Sequence, residues 1–337
     1  FARFCFEGYP SAEECYKSFT EDFKDYELDY PITIHMGVYD LCEENCDPSV
    51  MLYKAYLALR SVRYDFSTPI AYYKTGLMQA AETRQKLLGE VKGALKKGEF
   101  EVWFQPQYDY ETSALIGAEA LVRWRHPERG LIQPADFIPL LERSRQVTFV
   151  DTYVIEKSCA YAKYWQERGI ELPISVNISR IDILGGKICR TISDTVKKLG
   201  IEPRLIKLEI TESAYTSDTE ALKSVVTDFK AAGFTVEMDD FGSGYSSLNI
   251  LKDLDIDTIK IDIKLTSQIG CGNKKSDDIL RSVVKMAKDL NIGVIAEGVE
   301  TKTQAEFLKA VGCTAMQGYY FARPMPPQEF EQLVSKD

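Results

Sequence analysis

From Phe100 onward the sequence alternates short apolar, β-branched runs with longer stretches of helical periodicity, and that rhythm limits the folds open to the chain. The pattern predicts strands over Glu101–Gln107, Leu115–Arg123, Ile174–Ile178, Ile206–Thr211, Thr235–Asp239, Thr258–Asp262, Gly293–Glu297 and Thr314–Gly318. From the second strand onward, helical patterns lie between successive strands. Alternation on this scale, over roughly 240 residues, predicts an α/β fold of the (β/α)8 TIM-barrel type. An open doubly wound sheet is the main rival, but no Gly-rich dinucleotide fingerprint follows the first strand. Only Tyr108–Ala114 separates the first two strands, too short for a helical crossover. Those two are expected to form a hairpin, so that one barrel strand runs antiparallel to its neighbours.

The first part of the chain, residues 1–76, reads as a small α+β piece. It shows a helix near Ser11–Phe23, a strand at Ile32–Val38, a helix near Pro48–Ser61 and a short strand near Ile70–Tyr73. Residues 77–98 form an amphipathic connecting helix with Leu77, Ala81, Leu87, Leu88, Val91 and Leu95 on one face. The barrel then takes residues 99–337. The opening Phe1-Ala2-Arg3-Phe4 has neither an initiator Met nor a signal-peptide layout and reads as a fragment of a longer protein.

Hydrophobic residues are 45% of the chain and charged residues 27%, the composition of a soluble globular protein. A net charge of −10, from 51 acidic and 41 basic residues, argues against DNA, RNA polymers or an anionic membrane surface as partners. An anionic ligand would need metal ions or a local arginine. No apolar run reaches the roughly eighteen residues of a membrane span. Eight scattered cysteines with only two histidines make a zinc site a poor reading and predict reduced thiols in a cytoplasmic protein.

Within the strands, polar residues recur with period two and gather at one end, where barrel enzymes carry their active sites. Strand two puts Gly117, Glu119, Leu121 and Arg123 on one face; strand three ends in Ser175 and Asn177. Strand four ends in Glu209 and Thr211, with Glu212 beyond; strand five closes with Asp239 and Asp240. Strand six presents Lys260 and Asp262, strand seven Glu297 and strand eight Gln317. Burying so many carboxylates together would cost many kcal/mol without compensating cations, and one lysine with one arginine cannot balance them. The donors are all oxygens, which selects hard cations such as Mg2+ or Mn2+. Neighbouring carboxylates such as Asp239 and Asp240 suit two divalent cations about 3.5–4 Å apart, the arrangement for in-line attack at phosphorus.

Each piece taken singly has a bland reading. An acidic strand end is usually a helix cap or surface partner, Asp239-Asp240 before Phe241-Gly242 resembles an ordinary turn, and Lys260 could snorkel. The same face chosen on successive strands is what favours chemistry.

The series Phe104-Gln105-Pro106-Gln107, Glu119-Ala120-Leu121-Val122-Arg123-Trp124, Val176-Asn177-Ile178-Ser179, Leu208-Glu209-Ile210-Thr211-Glu212, Asp239-Asp240-Phe241-Gly242-Ser243-Gly244-Tyr245-Ser246-Ser247-Leu248, Lys260-Ile261-Asp262, Ala296-Glu297-Gly298-Val299-Glu300 and Gln317-Gly318 closely resembles the signature set of the EAL-domain phosphodiesterases. The resemblance runs from about residue 84 to 333. It implies hydrolysis of cyclic di-GMP to linear pGpG, two divalent cations (Mg2+ or Mn2+), and a homodimer formed through the barrel. Carried over by position, it implies Glu119, Asn177, Glu209 and Asp239 as ligands of one metal, with Asp239 bridging to a second beside Asp240. Lys260 would orient or deprotonate the attacking water, and Glu297 would help hold the second metal or its water. Gln105, Arg123, Asp262 and Gln317 would contact substrate, with Arg123 suited to a phosphate oxygen. Glu212 would anchor the loop after Asp240, which is intact except that Ser243 stands where Thr is commoner. Two runs depart from the family pattern outside the metal set, Leu140–Arg145 and Ile263–Leu265, and bear on partner contacts.

Ile32–Tyr39 and Ala55–Ala58 resemble the second half of a GGDEF domain, without the Gly-Gly-Asp-Glu-Phe motif itself. The expected activity is therefore phosphodiesterase alone. The rivals are a silent cyclic di-GMP receptor and a phosphodiesterase for another phosphate ester.

Overall fold

In the computed structural model, which describes residues 11–22, 33–40, 47–62, 67–215, 218–242 and 247–334, the chain falls into two units, Phe1–Glu90 and Val91–Asp337. The first contains α1 (Ala12–Asp22), β1 (Met36–Val38), α2 (Pro48–Ser61) and β2 (Ile70–Tyr72). β1 and β2 pair in parallel with α2 as the crossover. Asp47 caps α2 by accepting from Ser49 N at 2.7 Å, ahead of Pro48, whose fixed φ suits a first helical turn. Gly37 lets β1 approach α2: a Cβ there would meet the Ala55 carbonyl oxygen at 2.1 Å. The expected start at Ile32 and the expected end at Phe23 lie outside the described residues, and β1 begins only at Met36. α3 spans Gly76–Lys97, where residues 77–98 have helical periodicity, and the division between the two units falls within it, after Glu90.

The second unit opens with β3 (Phe100–Asp109), β4 (Leu115–His126), β5 (Gly130–Ile132), α4 (Pro134–Arg143) and α5 (Val147–Gln166). Next come β6 (Ile174–Ile178), α6 (Arg180–Gly185), α7 (Ile188–Leu199), β7 (Ile206–Thr211), α8 (Glu212–Tyr215) and α9 (Thr219–Ala231). After these follow β8 (Thr235–Phe241), α10 (Ser247–Asp253), β9 (Thr258–Ile261), α11 (Ile263–Thr266) and α12 (Lys274–Asp289). β10 (Gly293–Ala296), α13 (Lys302–Val311), β11 (Ala315–Met316) and α14 (Pro327–Val334) complete it.

Strands β3, β11, β10, β9, β8, β7, β6 and β4 are hydrogen-bonded in that order, and β3 pairs back to β4, so eight strands close a barrel. β3 is antiparallel to both its neighbours, β4 and β11, as the short first connection predicted. The turn between β3 and β4 is fixed by Asp109, whose Oδ1 accepts from Thr112 N at 2.8 Å and Glu111 N at 3.1 Å. β5 was not foreseen; it extends β4 as a second hairpin.

Ile174, Val176, Leu208, Ile210, Val236, Met238, Ile259 and Ile261 are fully buried. Each such burial stabilises by roughly 1.5–3 kcal/mol. Ile261, Ala296 and Met316 pack with Leu280 and Val284 of α12 and with Ala305 and Leu308 of α13. These residues form the layer between strands and helices, so the alternate residues of each strand turn into the barrel, and there the polar ones lie. Helix ends hold the spacing: Thr301 and Gln304 form a reciprocal capping box on α13, which ends at Gly312 in the left-handed conformation.

Candidate active site

Lys260, on the inward face of β9, is fully buried, and its Nζ is the centre of the mouth. It lies 2.7 Å from Glu209 Oε1, 2.8 Å from Glu297 Oε1, 3.2 Å from Glu119 Oε2 and 3.5 Å from Asp239 Oδ1. Four strands therefore deliver four carboxylates onto one ammonium. The Glu209 contact is Coulombic rather than a directed hydrogen bond, for neither Glu209 oxygen nor Asp239 Oδ1 has a donor aimed at it. Among the described residues no three acidic groups are already drawn together as a metal cage; the carboxylates close on the lysine instead. The donor set nonetheless fits a hard divalent cation. It is all oxygen, carries more negative charge than one lysine balances, and leaves three buried carboxylate oxygens without donors.

An amide chain holds the far side of the ring. Gln317 Nε2 donates to Glu119 Oε2 at 2.5 Å and to Gln105 Oε1 at 3.1 Å, while Gln107 Nε2 donates to Gln317 Oε1 at 3.0 Å. Asn177 Nδ2 donates to the other Glu119 oxygen at 3.2 Å. Glu119 is thereby held from both sides.

Charge crowding shows in the titration of the cluster. Burial pushes the Glu209 carboxyl well above the usual range, with Glu119 adding to it, and pushes Glu297 up to about 8. Burial likewise raises Asp239. Burial would raise Glu119 too, but the Lys260 charge and the Gln317 hydrogen bond outweigh it and hold that carboxyl low. Burial works against the Lys260 ammonium, yet Asp239, Glu119, Glu209 and Glu297 together keep it protonated far past its ordinary range.

The remaining expected residues lie around this centre. β8 loses its regular pairing with β9 between Met238 and Phe241, and Asp240 there has φ of +56°, which Asp tolerates better than most residues. Asp240 is exposed at the rim and shares a hydrogen bond with Asp262; burial, then Asp239 and Asp262, push its carboxyl up to about 6. Asp262 also caps α11, its Oδ1 accepting from Lys264 N at 2.5 Å. Glu212, buried at the start of α8, does not join the ring; its Oε2 accepts from Gly242 N at 3.2 Å. Gly242 itself has φ of +93°, and a Cβ there would meet Leu265 Cδ1 at 2.5 Å. The rest of the expected loop, Ser243–Ser246, lies outside the described residues. Arg123 is buried, donates to the Val122 carbonyl oxygen at 2.8 Å, and stacks over Trp103 with 5.5 Å to the ring centroid.

Sequence reasoning missed several contributors. Gln107 sits two residues beyond Gln105 on the same face, so the period-two rule could have found it. Thr266 Oγ1 donates to the Glu297 carbonyl oxygen at 2.6 Å and is itself held by Gln304 Nε2 at 3.2 Å, a pairing without a local sequence signal.

No helix among the described residues is long and apolar enough to cross a membrane. The EAL domain model matches residues 89–324. The Bacillus subtilis signaling protein YkoW is 29% identical over 325 residues, 96% of this chain and 40% of its own length. The cyclic di-GMP phosphodiesterase PA2567 of Pseudomonas aeruginosa is 31% identical over 304 residues, 90% of this chain and 52% of its own length. The chain thus spans about half or less of these curated relatives. The solved PaMucR phosphodiesterase in complex with c-di-GMP superposes with a TM-score of 0.69 at 32% identity, covering 73% of this chain and 99% of that one. Barrel topology, site geometry and these matches agree: the chain belongs to the EAL-domain family.

Proposed function

We propose that this chain is a cyclic di-GMP-specific phosphodiesterase that produces linear pGpG by a two-metal mechanism. The observation that carries the reading is the ring of four carboxylates around one lysine, with buried oxygens left without donors. Glu119, Asn177, Glu209 and Asp239 would hold one Mg2+ or Mn2+; Asp239 and Asp240, helped by Glu297, would hold the other. When bound, the cations supply Lewis acidity and a water acidified enough to attack phosphorus.

The chain's own residues supply the rest. Lys260 would orient the attacking water by donating a hydrogen bond, a sufficient role where the cations already acidify that water. The water oxygen bonds to phosphorus as the phosphorus–oxygen bond to one ribose 3′ oxygen breaks, and that oxygen ends protonated. Arg123 is assigned to a phosphate oxygen, and Gln105, Asp262 and Gln317 to further substrate contacts. Glu212, through Gly242, steadies the loop that follows Asp240.

The same reading includes a homodimer through the barrel, a cytoplasmic location, and a partial GGDEF-like origin for residues 1–76 beside a connecting helix at 77–98. Incubating the protein with cyclic di-GMP and Mg2+ or Mn2+, and separating the products by chromatography, should yield pGpG. Binding without turnover under both metals would sink the enzyme and leave a receptor. Sedimentation at working concentration tests the dimer.

A further inference from the structure

Beneath the mouth, the barrel interior holds a second charged layer that the proposed chemistry does not use. Glu237 is fully buried; its Oε1 pairs with Lys207 Nζ at 3.0 Å and its Oε2 accepts from Ser175 Oγ at 2.7 Å. Both carboxylate oxygens are thus satisfied. Ser175, Lys207 and Glu237 come from β6, β7 and β8, and each precedes by two residues the side chain assigned to metal: Asn177, Glu209 and Asp239. Period two puts the layers on the same inward face, about 6.6 Å apart along the strands.

Barrel interiors are ordinarily filled by branched apolar side chains, and a buried ion pair is seldom more stable than apolar residues of equal volume. Stability is therefore a weak reason for this trio; fixing one arrangement of the strands is a better one. Its location supports that role. Glu237 is the last inward residue before β8 departs from regular pairing with β9, between Met238 and Phe241. Asp239 keeps its ladder partner Thr211 on β7 but has none on β9, so on that side the clamp two residues earlier is what steadies the strand. Glu237 is also register-paired with Glu209 and its charge acts on that carboxylate, so Lys207 offsets part of a like-charge contact inside the barrel.

We propose that Ser175, Lys207 and Glu237 are positioning residues that aim Asn177, Glu209 and Asp239 at the metal, an inference that rests on the metal site proposed above. Partners that orient ligands in this way typically change metal affinity by about 10–100-fold when removed.

The test replaces the pair by apolar residues, Lys207→Met with Glu237→Leu, and reads melting temperature, Mn2+ affinity by calorimetry, and steady-state kinetics. The double variant should melt at or above the wild-type temperature yet bind Mn2+ at least about tenfold more weakly. Its kcat should fall while KM for cyclic di-GMP stays the same. Wild-type Mn2+ affinity and kcat in that variant would overturn the proposal, because a merely structural pair would be fully replaced. Should the double variant not fold, Ser175→Ala removes only one hydrogen bond to Glu237 and should still weaken Mn2+ binding severalfold; no change there is equally fatal. Wild-type protein that binds Mn2+ but does not cleave cyclic di-GMP removes the phosphodiesterase alone, and the positioning role then stands or falls on the Mn2+ affinities of the variants. Wild-type protein that binds no Mn2+ removes both.

Discussion

Replacing Lys260 with methionine keeps most of the side-chain volume and deletes the ammonium that lies 2.7–3.5 Å from Glu209, Glu297, Glu119 and Asp239. Removing one partner of a buried ion pair destabilises by about 3–5 kcal/mol, because the other charge is left uncompensated. A domain of this size loses about 2–4 °C of melting temperature per kcal/mol. In chelator at pH 8 the variant should therefore melt roughly 6–20 °C below wild type by scanning calorimetry. At pH 5 the gap should narrow, since the ring can keep protons in place of the ammonium. Excess Mn2+ should recover part of the melting temperature by giving the same carboxylates a cation, whereas pGpG formation should stay lost. Melting within a degree or two of wild type in chelator would refute the reasoning, for it would mean the ammonium is not what balances the ring.

Glu119→Ala, which removes a ligand held by Gln317 and Asn177, should lower turnover at least about a hundredfold; near-normal rates would overturn the ligand assignment. Arg123→Ala should raise KM for cyclic di-GMP by roughly 10–100-fold, the loss of a charge-assisted hydrogen bond, with kcat little changed. An unchanged KM would count against the phosphate contact. Without metal, stability should fall as pH rises from the ordinary carboxylate range to about 8. Across that window the unfolded chain has released the Glu297 proton while the barrel, by burial, still holds it. Mn2+ displaces that proton, so its affinity measured by calorimetry should climb over the same window; a flat profile would contradict the assignment of Glu297.

Much of the barrel was legible because its strands are short, β-branched and closely bounded by turn signals. β6 and β7 coincide with the expected runs to the residue. β9, β10 and β11 end one or two residues early for a shared reason. Asp262, Glu297 and Gln317 leave the ladder to serve a helix cap and the mouth, so a run of strand-like residues overstates the paired length. β5 escaped notice because three residues beginning with Gly130 carry no periodic signal. At the site, period two identified which residues face inward, but not which touch. That four carboxylates close on Lys260, and that Gln317 bridges Gln105 to Glu119 across some 200 residues of chain, depends on barrel closure. The bland reading of a capping aspartate was partly right, but at Asp262 rather than Asp240.

β3 meets β11 through only two residue pairs, Ala315 with Asp109 and Met316 with Tyr108. This is the seam where the earliest and latest barrel strands join. Gln317 sits on that seam, in contact with both Gln105 and Glu119. During synthesis, the first of the acidic side chains emerges about two hundred residues before the amide that holds it in place. A nascent chain lacking its last strand therefore has all four carboxylates of the ring but no Gln317 to fix Glu119. Loss of β11 alone should therefore cost the ring its order even though every carboxylate in it is still present.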